Sequence, residues 1–310
     1  MVIGIDLGGT NIKSGLLDSS NSLVFDQSRP TGSTLDEIVN NLAEIIDELK
    51  DRAKNEYQSD VVGVGIGVPG VVNKGLDHVF KCTNLGWHDI PLKELLSKRA
   101  DLPIFIDNDA NLAALAELYI GSLRGVDTGL LLTLGTGIGG GVIINGKPYR
   151  GSNGLGMEIG HMVLGENFFD CSCGKNGCFE TFSSATALVK YYEKLLNDNS
   201  VKPSFEVSAK NIFSNARAGD KLSLEAVDRA ATYLAIGIVN VINILDPAII
   251  ALGGGMAGSD GFLLKMTREK VKKNLFVKGF PSAKIELATS GNQAGTIGAA
   301  LLVREELGTI

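Results

Sequence analysis

Apolar residues in this chain alternate between short strand-like runs and longer stretches with helical spacing, the rhythm of an α/β protein. Residues 2–7 and 12–17 read as two strands around a Gly-Gly-Thr turn. Leu35, Ile38, Val39, Leu42, Ile45, Ile46 and Leu49 recur every three or four positions, which predicts an amphipathic helix over 34–54. Residues 61–68 are apolar with glycines at alternate positions and read as a buried strand. Pro91 suits the first turn of a short helix ending near Arg99. A strand over 103–106 leads into a helix over 109–119. Residues 130–134 and 141–144 read as strands, the second entering an Asn145-Gly146 hairpin turn. Further on, helices over 184–196, 208–217, 221–245, 260–274 and 293–307 accompany strands over 248–252 and 284–288. The polar stretch 197–205 contains Pro203 and reads as a surface loop.

A strand, a Gly-rich turn and a second strand occur twice, at 4–10 and at 131–137, each followed later by a helix–strand–helix pattern. Two similar α/β halves predict a cleft between them, a usual place for a ligand. A length of 310 residues accommodates two domains. The net charge of −6 carries no electrostatic footprint for nucleic acid. The smoothest apolar stretch, 234–245, is interrupted by Asn240 and Asn243 and is too short to span a bilayer, so no membrane partner is expected. The first residues enter a strand without a basic leader or cleavage pattern, so the expected compartment is the cytoplasm. There, clustered cysteines are more often metal ligands than disulfides.

The 39 glycines are nearly twice the usual share, and three Gly-rich turns follow strands: Gly8-Gly9-Thr10, Gly135-Thr136-Gly137 and Gly253-Gly254-Gly255. Glycine lets backbone N–H groups approach an anion, and Thr10 and Thr136 add hydroxyls. Lys13 adds a charge, and Asp6 is placed to hold Mg²⁺. Each turn alone also fits a hairpin or a helix cap; three at strand ends favour phosphate. Familiar nucleotide motifs fail on context. Gly65-x-Gly67-x-x-Gly70 contains Pro69 and no helix follows it. Gly135-x-Gly137-x-x-Gly140 runs into a strand, and Gly141-x4-Gly146-Lys147 ends on Pro148.

Asp107-Asn108-Asp109 closes a strand and opens a helix. Asp109 fits a base for an attacking hydroxyl, with Asn108 orienting a neighbouring one, and by spacing alone it fits a helix cap as well. Asp107 reads as structural. His161, Cys171, Cys173 and Cys178 fall within one short stretch bracketed by Glu158 and Glu180. One imidazole and three thiolates are the ligand type and number of structural zinc, with no position left open for catalysis. A disulfide would leave one thiol over. The free imidazole nitrogen, Glu158 and Glu180 can then grip sugar hydroxyls.

The motifs Ile5-Asp-Leu-Gly-Gly-Thr-Asn11, Asp107-Asn-Asp-Ala-Asn111, Leu134-Gly-Thr-Gly-Ile-Gly-Gly-Gly141, Gly154-Leu-Gly-Met-Glu-Ile-Gly-His161, Cys171-Ser-Cys-Gly-Lys-Asn-Gly-Cys-Phe-Glu180 and Leu252-Gly-Gly-Gly255 together resemble the ROK group of bacterial sugar kinases. The likeness covers essentially the whole chain and is strongest to glucokinases of Gram-positive bacteria. It implies an actin/hexokinase-type (ribonuclease H-like) ATPase fold with two α/β domains flanking a cleft. The expected domains are 1–116 plus 297–310, with the phosphate loop and catalytic Asp, and 117–296, with the zinc-bound sugar loop. It implies ATP with Mg²⁺, a structural Zn²⁺ on His161, Cys171, Cys173 and Cys178, and often a homodimer. The catalytic base falls on Asp109. Gly70, Asn108, Glu158, His161 and Glu180 fall on sugar contacts. Asp6, Gly8, Gly9, Thr10, Asn11, Lys13, Thr136, Gly137, Gly254 and Gly255 fall on the nucleotide side. Met157 stands where the family often has a small residue. The implied reaction is phosphorylation of glucose at its 6-hydroxyl. N-acetylmannosamine, N-acetylglucosamine, mannose and fructose are rival acceptors. A sugar-sensing regulator is a rival of another class, but such proteins carry an added N-terminal helix-turn-helix, and here the phosphate loop begins at residue 4. A chaperone-like ATPase would not need the sugar-side residues.

Overall fold

A computed structural model describes residues 1–258, 261–279 and 282–310. Along the chain, β1 (Val2–Leu7), β2 (Asn11–Leu17) and β3 (Leu23–Pro30) precede α1 (Leu35–Tyr57). Then come β4 (Val64–Val68), β5 (Val71–Val72), β6 (Val79–Cys82), β7 (Trp87–Ile90), α2 (Leu92–Ser97), β8 (Ile104–Asn108) and α3 (Asp109–Ile120). These are followed by β9 (Gly129–Leu134), β10 (Ile138–Ile144), β11 (Lys147–Pro148), α4 (Glu180–Ser183), α5 (Ala185–Asp198), α6 (Ala209–Arg217) and α7 (Lys221–Leu245). The chain closes with β12 (Ile249–Gly253), α8 (Phe262–Asn274), β13 (Lys284–Leu287) and α9 (Ala294–Glu306). The expected helix over 260–274 is α8, and residue 260 lies outside the described residues.

The chain forms two compact units, Met1–Gly125 with Gly141–Met157 and Ser290–Ile310, and Val126–Gly140 with Glu158–Thr289. The expected division differs in assigning 117–125, 141–157 and 290–296 to the second domain. The segment 141–157 lies with the first unit, where Gly141 lets the β10 backbone rest on α3. A Cβ there would stand 2.4 Å from the Ala110 carbonyl oxygen.

The first unit is built on a mixed sheet of order β3-β2-β1-β4-β8, antiparallel from β3 to β1 and parallel from β1 to β8. Successive strand residues face opposite sides. Ile3, Ile5, Val64 and Ile66 share a core with Ile38, Leu42, Ile45, Ile46 and Leu49 of α1. The intervening Gly4 and Gly65 face α9, which packs on β1, β4 and α3. Thr34 and Glu37 form a reciprocal capping box at the start of α1. The alternating glycines thus mark a strand lying directly against a helix backbone. A Cβ on Gly65 would fall 1.7 Å from the Ala299 carbonyl oxygen, and backbone on both sides leaves no side chain to yield. Gly65→Ala is therefore expected to cost ~3 kcal/mol of stability, read as a lower urea midpoint at constant m. An unchanged midpoint would mean that α9 is not held against β4.

Sequence reading passed over β3 and the small β5-β6-β7 sheet. No residue of β3 is buried, and its Asp26, Gln27, Ser28 and Arg29 give no apolar run. As an edge strand it also tolerates Pro30. The strands β5 to β7 are too short to show a period.

In the second unit β12 lies between β9 and β13, all three parallel. The 25-residue α7 is long and apolar enough to cross a membrane by length and composition. It is instead the central helix of this unit, packed against α4, α5, α6 and α8 with Leu234, Ala235, Ile238 and Val241 buried.

Candidate functional site

The first unit gathers its predicted residues at the carboxyl ends of the parallel strands. Asp6, Gly67 and Asp107 stand in register across β1, β4 and β8, the edge of an α/β sheet where ligands usually bind. The β1–β2 turn is closed by the Gly8 N–H donating to the Asn11 carbonyl at 3.0 Å. Thr31 braces it from behind, donating its hydroxyl to the Gly8 carbonyl at 2.7 Å and its N–H to the Thr10 carbonyl at 3.0 Å. Gly9, Thr10 and Asn11 remain exposed. Asp6 and Lys13 are cross-strand partners. Burial pushes the Asp6 carboxyl up and Lys13 draws it back down. A carboxylate whose charged form is penalised in this way gains from a nearby cation, which suits the expected Mg²⁺ role.

At the β8–α3 junction, Asn108 is the helix cap: its Oδ1 accepts from the N–H of Ala110 at 2.9 Å and of Asn111 at 3.2 Å. The capping reading thus falls one residue before Asp109. Asn108 also donates through Nδ2 to the Gly70 carbonyl at 3.0 Å, tying the Val-Pro-Gly loop to the junction. Asp109 is the first helical residue, half-buried, with Oδ1 accepting from Ala110 N–H at 2.8 Å. Asp107 points into the interior and is 2% exposed. It accepts from Asn108 N–H at 2.7 Å, Asn111 Nδ2 at 3.0 Å and Arg150 Nε at 2.6 Å.

In the second unit, one ligand atom each from His161, Cys171, Cys173 and Cys178 lie within 4.8 Å of one another. Cys171 Sγ is 3.6 Å from His161 Nδ1, and Cys173 Sγ is 3.6 Å from Cys178 Sγ. Nitrogen and sulfur ligands of a tetrahedral zinc ion lie ~3.5–3.8 Å apart by the usual bond lengths, so these two pairs match that spacing and the four residues are of the type and number that suit the ion. His161 turns Nδ1 to the thiols and Nε2 toward Glu158, 4.0 Å from its Oε2. Partial burial pushes the Glu158 carboxyl up, His161 lowers it and Glu180 raises it further. Glu180 opens α4, and its Oε1 accepts from the Cys171 thiol at 2.9 Å. The Gly135–Gly137 turn abuts the same carboxylate: a Cβ on Gly137 would stand 2.4 Å from Glu180 Oε2. Thr136 is exposed beside it. The 253–255 turn folds over the end of β9, with Met256 N–H donating to the Leu134 carbonyl at 3.1 Å. Gly254 has φ +85°, and among the described residues no atom lies within 4 Å of a Cβ placed on Gly255.

Sequence reading missed three residues that hold these groups in place. Thr31 braces the first turn and Arg150 pairs with Asp107. Asn167 donates through Nδ2 to the Thr181 carbonyl at 2.7 Å, next to Glu180, and its Oδ1 accepts from Arg229 at 2.9 Å. Thr31 and Arg150 stand outside the three Gly-rich turns and the cysteine stretch, and Asn167, inside that stretch, is not of a metal-ligand type, so no local signal marked them.

The first unit's half-antiparallel, half-parallel sheet, the repeated strand–turn–strand device and the phosphate-type turns define an actin/hexokinase-type ATPase fold, which solved ROK hexokinases share. The chain belongs to the ROK family, whose profile matches residues 2–306. Among similar proteins is a glucokinase of Halalkalibacterium halodurans, 36% identical over 98% of this chain and 95% of its own. A ROK family glucokinase from Streptomyces griseus, solved with glucose and AMPPNP, superposes with a TM-score of 0.84 at 30% identity, covering 98% of this chain and 99% of its own. A xylose repressor of Bacillus subtilis is 32% identical over 97% of this chain, which spans 76% of the repressor.

Proposed function

We propose that the protein is an ATP-dependent glucokinase, transferring the γ-phosphoryl group of ATP to the 6-hydroxyl of glucose with Asp109 as general base. The observation that carries this reading is the β8–α3 junction. Asn108 is the cap residue, and Asp109 follows it as a half-buried carboxylate at a strand's carboxyl end, in the unit whose turn leaves Gly9 and Thr10 exposed. The hydroxyl oxygen forms the new P–O bond as Asp109 takes its proton, and ADP leaves. The glucose and AMPPNP bound by the Streptomyces griseus relative support both substrates.

Gly8, Gly9, Thr10, Asn11, Lys13, Thr136, Gly137, Gly254 and Gly255 are assigned to the nucleotide. Asp6 would hold Mg²⁺, which supplies charge neutralisation on the phosphates. Gly70 and Asn108, with Glu158, His161 and Glu180, are assigned to the sugar. Zinc on His161, Cys171, Cys173 and Cys178 would supply a rigid scaffold. As thiolate, Cys171 no longer donates to Glu180 Oε1, which frees that oxygen to accept a sugar hydroxyl. With Nδ1 taken, His161 keeps Nε2–H as a donor.

In a coupled assay over a panel of hexoses, glucose is expected to show the highest kcat/KM with ATP. A higher value for N-acetylmannosamine, N-acetylglucosamine, mannose or fructose would reassign the acceptor. Absence of turnover with every hexose, using ATP or polyphosphate as donor, would favour a sugar-sensing role like that named for the Bacillus subtilis relative.

A further inference from the structure

We infer that Arg150 is a positioning residue for the Asn108–Asp109 pair, acting through the buried carboxylate of Asp107; the inference rests on Asp109 being the base. Asp107 lies one residue before the pair and is 2% exposed. Its Oδ1 spans the segment that carries Asp109, accepting from the Asn108 N–H at 2.7 Å and from Asn111 Nδ2 at 3.0 Å. Its Oδ2 is held by Arg150 Nε at 2.6 Å. Rotation of the carboxylate would break all three bonds at once. With Arg150 in place, the strand end and the first helical turn are tied to one rigid group, and Asn108 in turn holds the Gly70 carbonyl.

The manner in which Arg150 binds argues against a role in stability alone. Its side chain is 17% exposed, and it gives Nε to Asp107 while its buried Nη2 has no hydrogen-bond partner among the described residues. Glu305 Oε2 is also buried without one. Arg150 acts on Glu305 only across space, where burial raises the Glu305 carboxyl and Arg150 opposes the rise. An unmade buried hydrogen bond costs ~1–3 kcal/mol. Apolar residues of similar volume often replace buried ion pairs at no loss, or with a gain. An ion pair that keeps an orphan donor, on a carboxylate two residues from the proposed base, is the kind of local rule-breaking found where function requires it.

The test compares Arg150→Met, Asp107→Asn/Arg150→Met and Asp109→Ala in one kinase assay, with thermal unfolding of each. Arg150→Met is expected to lower kcat ~30-fold or more through misplacement of the reacting groups, leaving the KM for ATP within ~2-fold. The double variant removes the uncompensated carboxylate, so it should regain Tm without regaining kcat. If Arg150→Met does not fold, the double variant carries the same comparison. A kcat within ~2-fold of the parent for folded Arg150→Met, or a double variant that recovers kcat together with Tm, would overturn the inference. Full activity of Asp109→Ala would instead remove the base assignment beneath it, so the two failures are distinguishable.

Discussion

Asp109→Ala is expected to reduce kcat by ~10³-fold or more while the fold and glucose binding largely survive. General-base catalysis contributes ~10²–10⁴-fold, and the substitution removes the only carboxylate assigned to the attacking hydroxyl. The structure explains why the protein should tolerate it. The α3 N-terminus is capped by Asn108, which accepts from both Ala110 and Asn111 N–H. Asp109 Oδ1 also accepts from Ala110 N–H, a group that Asn108 already satisfies, so its loss leaves that donor paired. Steady-state kinetics, calorimetric glucose titration and thermal unfolding separate the effects. Retention of more than a few per cent of kcat would remove Asp109 from the role of base.

Loss of the metal set is the second large expected effect. Cys173→Ser is the informative variant because Cys173 is exposed, whereas Cys171 and Cys178 are buried. The change removes a soft ligand without altering core packing. The loop between His161 and Cys178 is held by polar contacts, among them the Leu164 N–H to Gly177 carbonyl bond at 2.9 Å, the Cys171 N–H to Lys175 carbonyl bond at 2.9 Å and Asn176 Nδ2 donating to the Asn167 carbonyl at 2.9 Å. Val163 and Phe168 are exposed, so little apolar burial holds it. A structural metal therefore contributes a large share of its order. The expected result is loss of bound zinc, a lower Tm and a rise of ~10-fold or more in the KM for glucose, with the KM for ATP within ~2-fold. Metal analysis by mass spectrometry together with kinetics checks it. A folded, zinc-free protein with an unchanged KM for glucose would refute the proposed scaffold role.

Local chemistry was the most legible part of the chain. The Cys171–Cys178 spacing and His161 pointed to a four-ligand set, and the structure brings those four side chains together. The Asn145-Gly146 turn was readable because both residues adopt positive φ, 53° and 67°, which Asn and Gly accept. The helix over 34–54 was visible from its apolar face, though it runs to Tyr57, where Gln58 ends it in a left-handed conformation. The edge strand β3 was not visible because it has no buried face, and β5 to β7 were not because they are too short to show a period.

Residue types and spacings thus determined the alternation of strands and helices, the Gly-rich turns and the candidate metal ligands, because each depends on neighbours within a few positions. Tertiary structure decided which of two adjacent residues caps α3. It also joined Arg150 to Asp107 across 43 positions and returned 141–157 to the first unit. Those outcomes depend on close approach between distant segments. At Gly65 and Gly141 the missing Cβ is what permits that approach, and nothing in the adjoining sequence names the backbone each must meet.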